Sequence, residues 1–211
     1  MVDIILRTNA IPVYGFLSTI NTKHPQEGDQ PRGKILDCGA GGPVPPLALF
    51  AQHGFEAWGI DISEEQLEKA RQFCQEKGIK SHLETGDMRQ IPFEDEMFDY
   101  VYEHYAMCHQ SKQDIAQAIS EMHRVLKKKG LCFLGVISMD SRPKSSFGKE
   151  KAPGEFWGLQ GGEKDLHTMF TDEEIEGLLA DWEVISEEKR ILYLGGEDRE
   201  EYAHLYFILR K

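Results

Sequence analysis

Apolar and polar positions along the chain change their period several times, and each change marks an element. Short, mostly apolar runs at 34–37, 56–61, 80–85, 98–103 and 131–138 predict strands. The run at 98–103 suits a buried parallel strand. Between the strands the apolar spacing becomes helical. Pro43, Pro45 and Pro46 mark the start of a helix that runs to about His53 and ends at Gly54. Leu67, Ala70 and Cys74 form the apolar stripe of a second helix. Ser63 caps it, Glu64 and Glu65 occupy its first turn, Gln66 stands three residues after the serine, and Lys77-Gly78 ends it. Ile115, Ala118, Ile119, Met122, Val125 and Leu126 predict the clearest helix, with Lys127, Lys128 and Lys129 at its C-terminus and Gly130 as its stop. Thr171 and Glu174 make a capping-box pattern ahead of Ile175, Leu178 and Leu179. The stretches 182–194 and 202–209 read as strands around a Gly195-Gly196 turn.

This alternation predicts an α/β fold: a Rossmann-like doubly wound sheet, mostly parallel with a C-terminal antiparallel strand, and helices on both faces. Residues 1–211 read as a single domain. Residues 1–30 form an N-terminal segment with one short helix near 13–22, and 139–170, poor in periodic signal, reads as an insertion.

Composition narrows the function classes. The chain of 211 residues is 40% hydrophobic and 28% charged, as ordinary globular proteins are, with a formal net charge of -12. That balance disfavours a nucleic-acid partner held through phosphates. No stretch approaches the length of a membrane span, and Asp3 and Arg7 interrupt the apolar N-terminus, so no membrane partner and no secretory leader are expected. The four cysteines, Cys38, Cys74, Cys108 and Cys132, form no Cys-x-x-Cys pair. They read as reduced, packed thiols, and the expected location is cytoplasmic. A monomer or homodimer is expected.

The candidate chemistry begins where the first strand runs into Asp37, followed by Cys38-Gly39-Ala40-Gly41-Gly42-Pro43. Such a turn lets a nucleotide-type ligand approach the backbone closely. Asp37 would repel a pyrophosphate and attract a cation, which points to S-adenosylmethionine, a donor with an ammonium, a sulfonium and no phosphate. Asp37, Asp61, Asp87 and Glu103 all fall at or just beyond predicted strand ends, where ligands of doubly wound sheets bind. Asp61 suits a ribose diol, a role that would serve NAD equally well.

With these residues in view, the stretch from about 33 to 190 resembles the class I S-adenosylmethionine-dependent methyltransferases, closest to the small-molecule group called type 11 or 25. The resemblance implies that Asp37, Gly39, Ala40 and Gly41 hold the methionine part of the donor. It places Asp61 on the ribose, Ile62 on the adenine face, and Asp87 and Met88 at the adenine edge. Glu103 and His104 would lie beside the sulfonium, although glutamate at 103 departs from the small polar residue of many relatives. The runs His123–Gly130 and His167–Glu174 resemble later family segments. For each residue a structural reading stays open: a ligand-free tight turn at Asp37, helix capping at Asp61, a polar loop at Asp87.

The implied cofactor is S-adenosyl-L-methionine, with S-adenosyl-L-homocysteine as product, and the implied partner is a small-molecule acceptor. The acceptor pocket is expected from Tyr14 and Phe16, the loop after the fourth strand, and the 139–170 insertion with Phe147, Phe156 and Trp157. Arg142, Lys144, Lys149 and Lys151 in that insertion read as a solvated loop or an anion attractor. His104 is the first candidate for a general base, ahead of His109 and His167. No complete metal-ligand set is visible, so no metal is expected. Two rivals remain, a non-catalytic donor-binding sensor and an NAD(P)-dependent oxidoreductase. The latter lacks its third turn glycine, since Val44 stands there.

Overall fold

Period-two alternation in the strands sends successive side chains to opposite faces, and the helices gather accordingly. The computed structural model of the protein describes residues 10–23, 31–142, 147–160, 163–194 and 200–211. β1 (Lys34–Cys38), β2 (Glu56–Asp61), β3 (His82–Thr85), β4 (Phe98–His104) and β5 (Leu126–Ser138) are parallel, in the order β3-β2-β1-β4-β5. Ile35, Tyr100, Tyr102 and Phe133 point to one face and pack with α1 (Ala10–Lys23) and α2 (Leu47–Gln52) through Phe16, Ile20 and Phe50. α3 (Glu64–Glu76) joins α2 through Cys74 and Ala48. Leu36, Val101, Cys132 and Leu134 point to the other face, under α4 (Lys112–Val125) and α5 (Asp172–Leu178). The strand order changes direction between β1 and β4, which opens a crevice at the strands' carboxyl ends.

The 139–170 stretch is more regular than its sequence suggests. β6 (Lys149–Ala152), β7 (Glu155–Gln160) and β8 (Glu163–Phe170) form an antiparallel meander, and β8 joins β5 in parallel through Ile137 and Ser138. Its apolar side, with Phe147, Phe156 and Met169, packs on Cys108 and Ile137. The other side carries Trp157 and Leu166, and charged residues such as Lys149, Glu150 and Glu155 interrupt the apolar alternation. β9 (Glu183–Leu194) pairs antiparallel with β10 (Glu200–Arg210), and β10 pairs antiparallel with β5. The predicted antiparallel C-terminal strand is therefore present, and the Gly195-Gly196 turn lies outside the described residues.

The lysine run does not end α4. The helix stops at Val125, Leu126 is already extended, and Lys127–Lys129 belong to β5. Tertiary pairing overrides the local signal here: Leu126 is register partner to Phe98, and the Lys129 and Lys211 amides donate to Lys211 O and Gly130 O. The cation at the helix end is Lys211 instead, whose Nζ donates to the carbonyls of Arg124 and Leu126 at 3.3 and 2.7 Å.

The two sequence-read caps are formed. Ser63 Oγ accepts from the Gln66 amide at 3.3 Å. Thr171 Oγ1 accepts from the Glu174 amide at 3.2 Å while Glu174 Oε2 accepts from the Thr171 amide at 2.9 Å. Thr171→Ala is expected to lower stability by about 1 kcal/mol in urea denaturation. A change below about 0.3 kcal/mol would show that the Lys112–Glu174 ion pair, at 2.5 Å, holds α5 without the cap.

Candidate functional site

A cavity of about 570 Å³ opens at the crevice, beside the ends of β1, β2 and β4. Its wall takes Gly39 from the turn after β1, Asp61 and Ile62 from the end of β2, Asp87, Met88 and Arg89 from the loop after β3, and Ala106 and His109 beyond β4. Asp114 lies at the start of α4, and Trp157 and Leu166 come from the meander.

The glycine turn is tied down by its own amides. Gly39 and Ala40 donate to Ile60 O at 2.8 and 2.9 Å, Gly42 donates to Gln66 O at 2.9 Å, and Gly41 donates to Asp61 Oδ2 at 3.0 Å. Gly39 has φ +90°, and a Cβ there would collide with that of Ala106. At Gly41 a Cβ would lie 2.6 Å from both Asp61 Oδ2 and Gln66 Cβ. Only glycine permits this turn at both positions. Asp61 completes the link by accepting from the Ser63 amide at 2.9 Å through Oδ1, so one carboxylate joins the turn to the start of α3.

Asp87 sits opposite, clamped by Arg89. The guanidinium donates to both carboxylate oxygens, at 2.7 Å from Nη2 to Oδ2, and the Arg89 amide donates to Oδ1 at 2.8 Å. These bonds hold the Asp87 carboxyl below the usual carboxylate range. Arg89 Nη1 also reaches Asp114 Oδ1 at 3.2 Å, and Ser111 Oγ donates to Asp114 Oδ2 at 2.7 Å. Neither Arg89 nor Asp114 was singled out from sequence. The signals were an arginine two residues after a loop aspartate and a Ser-x-x-Asp cap at Ser111.

Five of the sequence-predicted residues, Gly39, Asp61, Ile62, Asp87 and Met88, are at the cavity wall. Asp37, Ala40, Gly41, Glu103 and His104 are not part of that wall. Asp37 is 2% exposed, and its Oδ2 accepts from the Leu47 amide at 2.9 Å, anchoring the first turn of α2. Burial pushes its carboxyl up to about 7. Glu103 is fully buried and accepts from the Met107 amide at 2.9 Å, and its Oε2 has no partner among the described residues. Burial raises its pKa to about 8, against the lowering pull of backbone amides. Neither acid presents a fixed negative charge to the cavity.

His104 is displaced for a geometric reason. Period two puts it on the same face as Tyr100 and Tyr102, where its ring meets those of Tyr105, Phe133 and Tyr206 at 3.9, 5.9 and 5.8 Å. The next residue, Tyr105, turns the chain with φ +68°. Nε2 of His104 is buried without a partner among the described residues, and burial, with His204 nearby, pushes its pKa down to about 3. It is therefore neither beside the cavity nor basic enough to accept a proton near neutral pH. His109 is at the wall instead, with Nδ1 2.9 Å from Asp165 Oδ2.

Of the aromatic residues expected around an acceptor, Trp157 lines the cavity. Phe16 points from α1 into the sheet, against Tyr102 and Phe133, and Phe147 and Phe156 lie in the core of the meander. Lys151 stands 5.6 Å over the Trp157 ring, while Lys144 falls outside the described residues.

Comparison with known proteins agrees with this geometry. Residues 35–130 match the family described as methyltransferase domain. The chain is 38% identical over 98 residues to the uncharacterized methyltransferase YcgJ of Bacillus subtilis, which covers 46% of this chain and 38% of that protein. It is 37% identical over 107 residues to 24-methylenesterol C-methyltransferase 2 of Oryza sativa, covering 48% of this chain and 28% of that one. The chain thus spans well under half the length of these curated relatives. In fold it matches the crystal structure of a SAM-dependent methyltransferase of Methanosarcina mazei with a TM-score of 0.73 at 22% identity, over 91% of this chain and 96% of that one. The sheet order, the glycine turn and the match over 35–130 together support a class I S-adenosylmethionine-dependent methyltransferase domain.

Proposed function

We propose that this chain transfers a methyl group from S-adenosylmethionine to a small-molecule acceptor by direct displacement. The observation that carries the reading is the charge of the cavity wall. Asp61, Asp87 and Asp114 face one guanidinium, Arg89, which two of them already share. Such a wall attracts a cationic ligand and repels a pyrophosphate. The amides of Gly39 to Gly42 are committed to protein acceptors, so the turn has no donor set ready for phosphate. Both points weigh against the NAD(P) oxidoreductase. The fit to the family's cofactor rests on the same features together with Gly39, where a side chain would fill the approach.

In this reading Asp61 takes the ribose diol with the lone pairs left beside its two amide bonds. Ile62, 70% exposed at the wall, offers an apolar face for adenine, and Asp87 and Met88 form the adenine edge, with Arg89 fixing the carboxylate. Asp37, Ala40, Gly41 and Glu103 act from outside that wall as positioning residues. Bound there, S-adenosylmethionine supplies a methyl group activated by a positively charged sulfur. The protein's part is to align the acceptor with it and exclude water. Ala106, His109, Trp157 and Leu166 form the acceptor end, whose mixed apolar and polar character suits a small, partly apolar molecule. A C-methyltransferase of sterols among the relatives is in line with an acceptor of that size. Four buried, unpaired thiols support a cytoplasmic setting. No described helix is long and apolar enough to cross a membrane.

S-adenosylhomocysteine should raise the melting temperature and NADH should not. A ligand at about a hundred times its Kd stabilises the fold by about 2.7 kcal/mol. No shift at millimolar S-adenosylhomocysteine would overturn the cofactor assignment. Formation of S-adenosylhomocysteine across a panel of hydroxyl, thiol, amine and carbon acceptors separates an enzyme from a sensor, and its absence across the whole panel would favour the sensor.

A further inference from the structure

Beside the cavity the meander brings Asp165 and His167 to His109, more than fifty residues earlier in sequence. His109 belongs to the short 3-10 turn after β4, Met107–His109. Asp165 and His167 stand two apart on β8 and so share one face of that strand. One ligand atom from each lies within 4.8 Å of the other two. His109 Nδ1 and Asp165 Oδ2 are 2.9 Å apart, and the rings of His109 and His167 are 5.4 Å centre to centre.

We propose that His109, Asp165 and His167 bind a divalent transition-metal ion of the zinc type, beside the cavity wall at His109. Metal–nitrogen and metal–oxygen bonds of about 2.0–2.2 Å put neighbouring ligand atoms about 3.0–3.5 Å apart. The His109–Asp165 pair already meets that spacing, and rotation of the half-exposed imidazoles closes the rest. Two imidazoles and one carboxylate select zinc, cobalt or nickel over magnesium or calcium, which take all-oxygen sets. Asp165 Oδ1 accepts from the Leu166 amide at 2.9 Å, which fixes the carboxylate and leaves Oδ2 turned to His109. Among the described residues no lysine or arginine pairs with Asp165 to neutralise it. The site is reachable, since His109 is exposed and the other two are half-buried.

Three protein ligands leave a tetrahedral ion one further position, open to water. Of the three, His109 lines the cavity, while Asp165 and His167 stand on the face of β8 opposite Leu166, so the ion site lies behind the cavity wall at His109.

The test is a zinc titration of the full chain, stripped with chelator, by calorimetry, with cobalt absorption in the visible as a second readout. About one zinc per chain at micromolar affinity is expected, undisturbed by millimolar magnesium. His109→Ala and His167→Ala should each weaken zinc by more than about tenfold while circular dichroism stays unchanged. Absence of stoichiometric binding would overturn the proposal and leave a metal-free His109–Asp165 ion pair. Undiminished binding in a His109→Ala/His167→Ala double variant would overturn it as well, by placing the ion elsewhere. S-adenosylhomocysteine binding, measured in parallel without metal, reports on the donor reading separately.

Discussion

S-adenosylhomocysteine is expected to bind the Asp61→Ala protein about a hundredfold more weakly than the unaltered chain. Two effects add. The carboxylate is the residue proposed to take both ribose hydroxyls, and hydrogen bonds to a charged group contribute about 1.5–3 kcal/mol each. It is also the link between the Gly41 and Ser63 amides, so alanine frees the turn from the start of α3. A loss of about 3 kcal/mol corresponds to two powers of ten in Kd. The fold itself should survive, because Gly39 and Ala40 keep their bonds to Ile60 O and Ser63 keeps its cap. Calorimetry on the variant, with its melting temperature as control, decides the matter. Affinity within about threefold of the parent in a folded variant would reject Asp61 as a ribose ligand. Asp37→Asn should behave differently. Its carboxyl meets the Leu47 amide outside the cavity wall, so the change should appear in stability before binding.

Glu103→Gln should stabilise the protein at alkaline pH and leave it nearly unchanged in mild acid. In the fold, burial raises this carboxyl from an ordinary 4.5 to about 8. Between those values the folded chain keeps a proton that the unfolded chain has released. The contribution is therefore complete below the unfolded pKa and lost as pH climbs through the folded one, at about 1.4 kcal/mol per pH unit. Asp37, raised from 3.8 to about 7, slopes the same way. Glutamine is neutral throughout and removes the Glu103 share of that slope. The two proteins should separate by about 5 kcal/mol at about pH 8.5 in urea denaturation and converge as the pH falls below the unfolded value of 4.5. A constant offset at every pH would show that Glu103 is charged in the fold.

Much of the fold could be read from sequence because its signals are local. The Ser63 and Thr171 caps, the β2 boundaries and the glycine turn each depend on a few neighbouring residues. The failures involve distant partners. Lys127–Lys129 look like a helix end until Phe98 and Lys211 are brought alongside. The charged residues of the meander conceal its strands until Phe156 and Met169 are set on Ile137. Asp61, Ile62, Asp87 and Met88 could be expected at the cavity wall because strand ends converge in this architecture. Sequence could not show that Asp37 and Glu103 are buried, because burial of a carboxylate depends on helices and strands remote in the chain. The cation-attracting charge expected at Asp37 lies instead on Asp61, Asp87 and Asp114. His104 differs from these, because its place on the aromatic face follows from period two along β4, which is a local signal.

The antiparallel pairing of β10 with β5 has a consequence for synthesis. β5 is complete at Ser138, yet its partner along Leu131–Ile137 is drawn from residues 204–210. Until those residues leave the ribosome, the nascent chain carries an apolar strand with one unpaired edge, and Cys132, Leu134 and Val136 lack the packing of Leu205, Phe207 and Leu209. Chaperone demand should therefore fall on the interval between β5 and β10, and premature stops within β9 should yield aggregates in place of a smaller folded product.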